Sequence, residues 1–185
     1  MSPLLLGILN SQAAAGGAGA FDWLETSRPT GTGTLTITGL GAYSDYQHLQ
    51  IRMLAESDFT NNLYNVNVRF NNDTSTIYSG NYMYAQSGNT WGGSAFVSSN
   101  DFSIRQILSP KFNSYAGASI FEIYDFASTT KAKTLKALSG AATYQNKITW
   151  QSGLYNSTNA ITSITFISQS GNFLSNTRFA IYGWK

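Results

Sequence analysis

The 185-residue chain contains no cysteine, a single histidine and three prolines. Without thiols there is no disulfide, no thiolate nucleophile and no zinc–thiolate site. With His48 alone, a His-ligated metal or a Ser-His-Asp triad would have to be built on one imidazole. The surrounding Gln47-His48-Leu49-Gln50-Ile51 reads as part of a strand, where a structural or surface histidine is the expected role. Charge is scarce too, at 11% of residues against about 25% in ordinary domains. The net charge of +2 gives no clustered basic face, so nucleic acid is not an expected partner. No apolar run approaches the ~20 residues that span a bilayer. A soluble chain with no membrane partner is the expectation.

Hydroxyls and amides fill the place of charge: 23 Ser, 19 Thr and 16 Asn. The surface is therefore wet but weakly charged. The length suits one domain, which at this size buries roughly 70% of the surface of its unfolded chain.

The N-terminus differs from the rest. Met1-Ser2-Pro3-Leu4-Leu5-Leu6-Gly7-Ile8-Leu9 leads through Asn10-Ser11-Gln12 into an Ala/Gly stretch ending at Ala20. A signal peptide needs a basic n-region and an apolar core of about 7–15 residues. Here the first charged side chain is Asp22 and Gly7 breaks the apolar run, so secretion is not expected. The Ala/Gly stretch has the composition of a tether. The apolar residues either tuck into the domain's own core or plug into a partner, and the second reading is adopted. Leu4, Leu5, Leu6, Ile8 and Leu9 are then the anchor, because so apolar a segment on a tether is an association liability without a partner surface. Residues 1–20 form the arm and residues 21–185 a single body.

From Leu35 onward, short alternating segments rich in Thr, Ile, Val, Phe and Tyr are punctuated by Gly and Asn. In Tyr64-Asn65-Val66-Asn67-Val68-Arg69-Phe70 the period of two is clean. Similar segments cover residues 35–38, 49–55, 102–107, 119–124, 133–138, 147–150, 161–167 and 178–184, with a weaker one at 77–85. Loops are expected at 71–74, 86–94, 98–100 and 168–172, and a helical turn at most over 22–26. About ten strands without crossover helices predict an all-β antiparallel sandwich. A jelly-roll-like form with an extended N-terminal arm fits the length. Ile51, Met53, Val66, Val68, Phe70, Phe121 and Ile123 are the predicted buried face.

No residue set carries a recognisable chemistry. The carboxylate pairs Glu56/Asp58 and Glu122/Asp125 are the nearest to a glycosidase arrangement, but an unbroken strand would point the second pair to opposite faces. Asn71, Asn72 and Asp73 offer oxygens without the spacing of a calcium loop, so an Asx-rich turn is expected. Gly92-Gly93 lacks the phosphate-loop pattern. No catalytic, metal or cofactor-binding residue is assigned, and neither an enzyme nor a cofactor is expected. The aromatic residues Tyr78, Tyr82, Tyr84 and Trp91 lie in one Asn/Gly/Ser-rich stretch. Such rings bind sugars when exposed, and pack cores or subunit interfaces more often.

The C-terminal third holds Gly153-Leu154-Tyr155-Asn156-Ser157-Thr158-Asn159-Ala160-Ile161-Thr162-Ser163-Ile164-Thr165-Phe166, then Gly171-Asn172-Phe173, then Thr177-Arg178-Phe179-Ala180-Ile181-Tyr182-Gly183. Upstream stand Tyr46-Gln47-His48-Leu49-Gln50-Ile51-Arg52, Val68-Arg69-Phe70-Asn71-Asn72-Asp73 and Ile123-Tyr124-Asp125-Phe126-Ala127, with Lys131 to Lys136 following. Together these resemble a family of small β-rich virion proteins of tailed bacteriophages, over most of residues 24–185. Tyr155 stands where the family's pattern has Trp, and Ala180 where it has Ser.

The resemblance implies a jelly-roll-like, homotrimeric structural protein of the virion, assembled in the host cytoplasm, and supplies no catalytic residues. Members occur in heads and in tails. A tail fibre normally needs a shaft, whereas this chain has a short arm and one body. A capsid decoration, or cement, protein on the major capsid protein is therefore the expected role. The alternative is a tail-associated receptor-binding protein, among tail proteins, that recognises host surface polysaccharide.

Overall fold

Most strands of the sandwich follow from a short run in which every second side chain is apolar or small. The computed structural model describes residues 21–29, 31–59, 64–107, 116–141 and 146–185. The anchor residues Leu4, Leu5, Leu6, Ile8 and Leu9 lie outside the described residues. Among those described, twelve strands follow in order: β1 (Asp22–Ser27), β2 (Thr34–Thr38), β3 (His48–Ala55), β4 (Tyr64–Phe70), β5 (Tyr78–Gln86) and β6 (Thr90–Ser99), then β7 (Phe102–Ile107), β8 (Gly117–Ile123), β9 (Lys133–Ala141), β10 (Lys147–Tyr155), β11 (Ser163–Ser168) and β12 (Arg178–Trp184). The one helix among them is a 3-10 turn at Leu40–Tyr43. No helix among the described residues is long and apolar enough to cross a membrane.

The strands form an eight-stranded sheet in the order β1-β12-β3-β8-β9-β10-β5-β6 and a four-stranded sheet in the order β2-β11-β4-β7. Neighbours are antiparallel throughout. The chain passes repeatedly between the sheets, at β1–β2, β2–β3, β3–β4, β4–β5, β6–β7, β7–β8, β10–β11 and β11–β12. The two packed antiparallel sheets make a β-sandwich. Ile51, Met53, Val66, Val68, Phe70, Phe121 and Ile123 are all buried between the sheets, as the period of two predicts. Their centre is aromatic. Phe121 stacks on Phe102 at 5.7 Å and lies parallel to Phe70 at 6.4 Å.

Two strands contradict the sequence-based expectation. Residues 22–26 form β1, not a helical turn, because their backbone pairs with β12 at the edge of the large sheet. Residues 90–94 and 98–99, expected as loop, belong to β6, because this strand pairs with β5 along most of its length. Neither Gly92-Gly93 nor the string of small polar residues signals a strand. Pairing with a neighbour supplies what intrinsic propensity does not.

Polar side chains, one of them buried, tie the loops together. Lys133 is fully buried, and its Nζ donates to the carbonyls of Ser128 at 2.6 Å, Lys131 at 2.8 Å, Thr158 at 3.1 Å and Ser157 at 3.4 Å. The ammonium thus ties the turn before β9 to the segment after β10. Asn71, with φ of 52°, accepts from the backbone N–H groups of Thr162 and Ser163 and donates to the carbonyl of Ala160. Asp73 accepts from the N–H of Ser75 at 2.8 Å, which makes the expected Asx turn.

Candidate functional site

Alternation along β10 runs opposite to its polarity. Thr149 and Gln151 point inward, each 1% exposed, whereas Ile148 and Trp150 point to the outer face. The cause of the inward Gln151 is visible in its bonds. Its Nε2 donates to the carbonyl of Ser103 at 2.7 Å, and its Oε1 accepts from the N–H of Arg105 at 2.9 Å. The side chain satisfies two backbone groups of β7, the edge strand of the small sheet, and so bridges the sheets. A strand has only two faces, so fixing Gln151 inside fixes Trp150 outside.

The register then assembles an apolar surface from strands distant in sequence. Ile120, Leu138, Trp150, Met83 and Gly93 stand opposite one another across β8, β9, β10, β5 and β6. The next row is Leu54, Ala118, Gly140, Ile148, Ala85 and Trp91. Trp91 is 83% exposed, Met83 63% and Trp150 55%. Hollows of about 470 and 570 Å³ flank Trp150. Single exposed apolar side chains are ordinary on a protein surface, but a contiguous patch of them marks an interaction site.

A polar row borders this patch. Glu122 accepts from Tyr124 Oη at 2.8 Å and from Gln50 Nε2 at 3.0 Å, and pairs with Lys136 at 3.6 Å. Burial opposes its ionisation, yet the bonds from Tyr124 and Gln50 together with Lys136 outweigh it and hold its carboxyl below the usual value. Burial and the same carboxylate push the Tyr124 phenol up to about 12. Lys136 Nζ also lies 5.9 Å from the centre of the Trp150 ring. On the other flank, the Arg52 guanidinium covers Tyr182 at 4.2 Å.

The four aromatic residues singled out in the sequence are separated by the fold. Tyr78 is fully buried, and its hydroxyl accepts from the N–H of Phe70 at 2.9 Å. It is a core residue and cannot meet a glycan, which corrects its place in the candidate set. Tyr82 and Tyr84 stack at 6.4 Å on the inward side of β5, covered by Arg105 at 4.1 Å and Lys147 at 4.2 Å respectively. Trp91 alone joins the outer patch. Trp150, Met83, Leu138 and Ile148 were not singled out. The signal available was the unbroken alternation of Ile148 and Trp150 with Thr149 and Gln151, whose hydrophobic half reads as core.

The acidic pairs are occupied with structure. Asp58 accepts from the backbone N–H of Asn172 at 2.7 Å, and Asp125, at φ of 53°, accepts from Gln47 and pairs with Lys131 at 3.3 Å. His48 accepts the N–H of Asp125 on Nδ1 at 3.0 Å and packs against Tyr124 and Trp184. Burial, only partly offset by Asp125, holds its pKa below the ordinary value. No cluster of three or more metal-ligating side chains occurs among the described residues. No family model, no curated protein and no solved structure matches the chain.

Proposed function

We propose that the chain is a non-enzymatic structural protein of a bacteriophage virion, working as a homotrimeric capsid decoration protein anchored by residues 1–20. The motifs at 46–52, 123–127 and 153–183 motivate the virion assignment, because they resemble that family. The observation that carries the structural role is the outer face of the large sheet. It offers a broad apolar surface with Trp150 at its centre, bordered by side chains that pair with one another. Such a surface suits protein–protein contact. The major capsid protein is the proposed host surface for the anchor residues.

Particles lacking the protein provide the test. Purified full-length chain should bind them at high occupancy, and the chain without residues 1–20 should fold but fail to bind. Retained full binding would move the anchor onto the sandwich. Failure of the full-length chain to bind any particle would overturn the virion assignment.

The second reading is a tail-associated receptor-binding protein. Its support is the company of Trp150: Asn81 and Ser152 lie in the adjoining row, and exposed rings beside amides and hydroxyls suit sugars. Binding of host polysaccharide, lost on Trp150→Ala, would favour it.

A further inference from the structure

A charge withdrawn from water needs a partner. Among the described residues, the cations that are partly or fully buried have one, with two exceptions. Arg69 pairs with Asp101 and Lys136 with Glu122, and Lys133 has its cage of carbonyls. Arg105 of β7 and Lys147 of β10 are half-buried as well. All nine side-chain carboxylates of the chain lie among the described residues. None of them pairs with Arg105 or Lys147, the remaining ion pair being that of Lys131 with Asp125. The two cations rest instead on phenol rings, Arg105 on Tyr82 and Lys147 on Tyr84. A ring face attracts a cation but does not cancel its charge. Lys147 is accordingly held below its ordinary pKa, by burial first and by Arg105 second. Arg105 Nε is buried with no partner, so part of the guanidinium is cut off from water too.

The topology gathers these groups on one shelf. β7 is the free edge of the four-stranded sheet, and Gln151 fastens it over β10. Beyond that edge Tyr82 and Tyr84 face inward from β5, with only Ser94 and Gly92 opposite them on β6. A Cβ at Gly92 would fall 2.9 Å from the Tyr84 hydroxyl, so the ring lies across bare backbone and the shelf stays shallow. We infer that this shelf binds an acidic saccharide, its carboxylate held between Arg105 and Lys147. The rings position the cations and do not receive the sugar. A guanidinium lying on a ring keeps its N–H groups at its edge, where they can meet a carboxylate, and an ammonium beside it adds a second donor. Half-burial makes that attraction stronger than it would be in bulk water. Around the two cations stand hydroxyls and amides, from Tyr82, Tyr84, Ser94 and Gln151, which match the hydroxyls of a sugar. The inference rests on neither reading of function, because the shelf lies on the face of β5 opposite to the outer patch.

Isothermal titration calorimetry of the full chain tests this with trigalacturonate, a neutral galactose trisaccharide, inorganic phosphate and a short glutamate peptide. Trigalacturonate should bind more tightly than the other three, and its binding should weaken as salt rises. Arg105→Gln and Lys147→Gln should each weaken it by at least about tenfold, the loss of one hydrogen bond to a charged group, with far-UV circular dichroism unchanged. Lys147→Glu supplies a carboxylate from within and should abolish binding. Trp150→Ala, on the other face, should leave binding as it is. Failure of trigalacturonate to bind, equal binding of the neutral trisaccharide, or binding that survives both glutamine variants would overturn the inference. Loss of binding in Trp150→Ala alone would overturn it too, by moving the saccharide to the outer patch of the second reading. Phosphate bound as tightly as trigalacturonate, and lost in the same variants, would leave an anion site and overturn its saccharide. Tighter binding of the glutamate peptide would overturn it in favour of an acidic protein. In each case the test of residues 1–20 on particles is unaffected, so the proposed function stands or falls separately.

Discussion

Gly153 of β10 lies beneath the ring of Phe102 of β7, so that the two sheets touch where β10 has no side chain. A Cβ at position 153 would fall 2.8 Å from Phe102 Cδ2 and 2.9 Å from the carbonyl oxygen of Ser79. Phe102 in turn stacks on Phe121 and meets Phe96, so its ring has little room to move. Gly153→Ala should therefore destabilise the fold by about 1–3 kcal/mol through overpacking. Chemical denaturation read by tryptophan fluorescence checks this. An unchanged midpoint would mean that Phe102 is free to retreat.

Gln151 should matter as much as any apolar core residue. Gln151→Leu keeps its volume but leaves the Ser103 carbonyl and the Arg105 N–H without their partner. Each unsatisfied group costs about 1–3 kcal/mol when buried. The expected outcome is a loss of at least about 2 kcal/mol, with amide hydrogen exchange accelerated in β7. Protection in β7 equal to that of the unmodified chain would contradict the bridge.

Lys133→Met tests the ammonium cage. The variant keeps an apolar stem of similar length and removes all the donors shared among four carbonyls. Hydrogen bonds to a charged group contribute about 1.5–3 kcal/mol each, and a domain of this size loses about 2–4 °C per kcal/mol, so losing even two of them should lower the thermal midpoint by at least roughly 6 °C. Lys133→Arg should not rescue it, because the cage fits a compact ammonium and not a planar fork.

Acid should weaken the fold partly through Glu122. Its folded pKa lies below its ordinary value of 4.5. The unfolded chain therefore binds the proton first, and stability present above that value is lost as pH falls through it. Glu25 and Asp101, raised by burial, act in the opposite sense. Thermal midpoints measured across this range should fall with acid, and Glu122→Gln should flatten the slope. A variant with the same slope would show that Glu122 does not contribute.

Much of the architecture is legible in the sequence because the core strands β3, β4 and β8 bury one alternate set of side chains, mostly apolar, with Gln50 of β3 the one further residue buried among them. β6 is not, since Trp91-Gly92-Gly93-Ser94 owes its extended form to β5 and not to its own propensity. β10 misleads for a different reason. Its polarity fits burial of Ile148 and Trp150, but the bonds of Gln151 to β7 decide the facing, and that partner is 46 residues away. The outer patch was invisible for the same cause. Its rows join residues 54, 83, 91, 120, 138 and 150, which only the sheet register brings together. Tyr78 reads like Tyr82 and Tyr84 in sequence, and only the position of the small sheet separates them.

The number of copies of this chain per virion tests the account most directly. Quantitative mass spectrometry of purified particles, scaled to the major capsid protein, measures it. A capsid decoration protein is predicted to be present in hundreds of copies, as a multiple of three. A few to a few dozen copies would place it in the tail, and absence from the particle would contradict the structural role altogether.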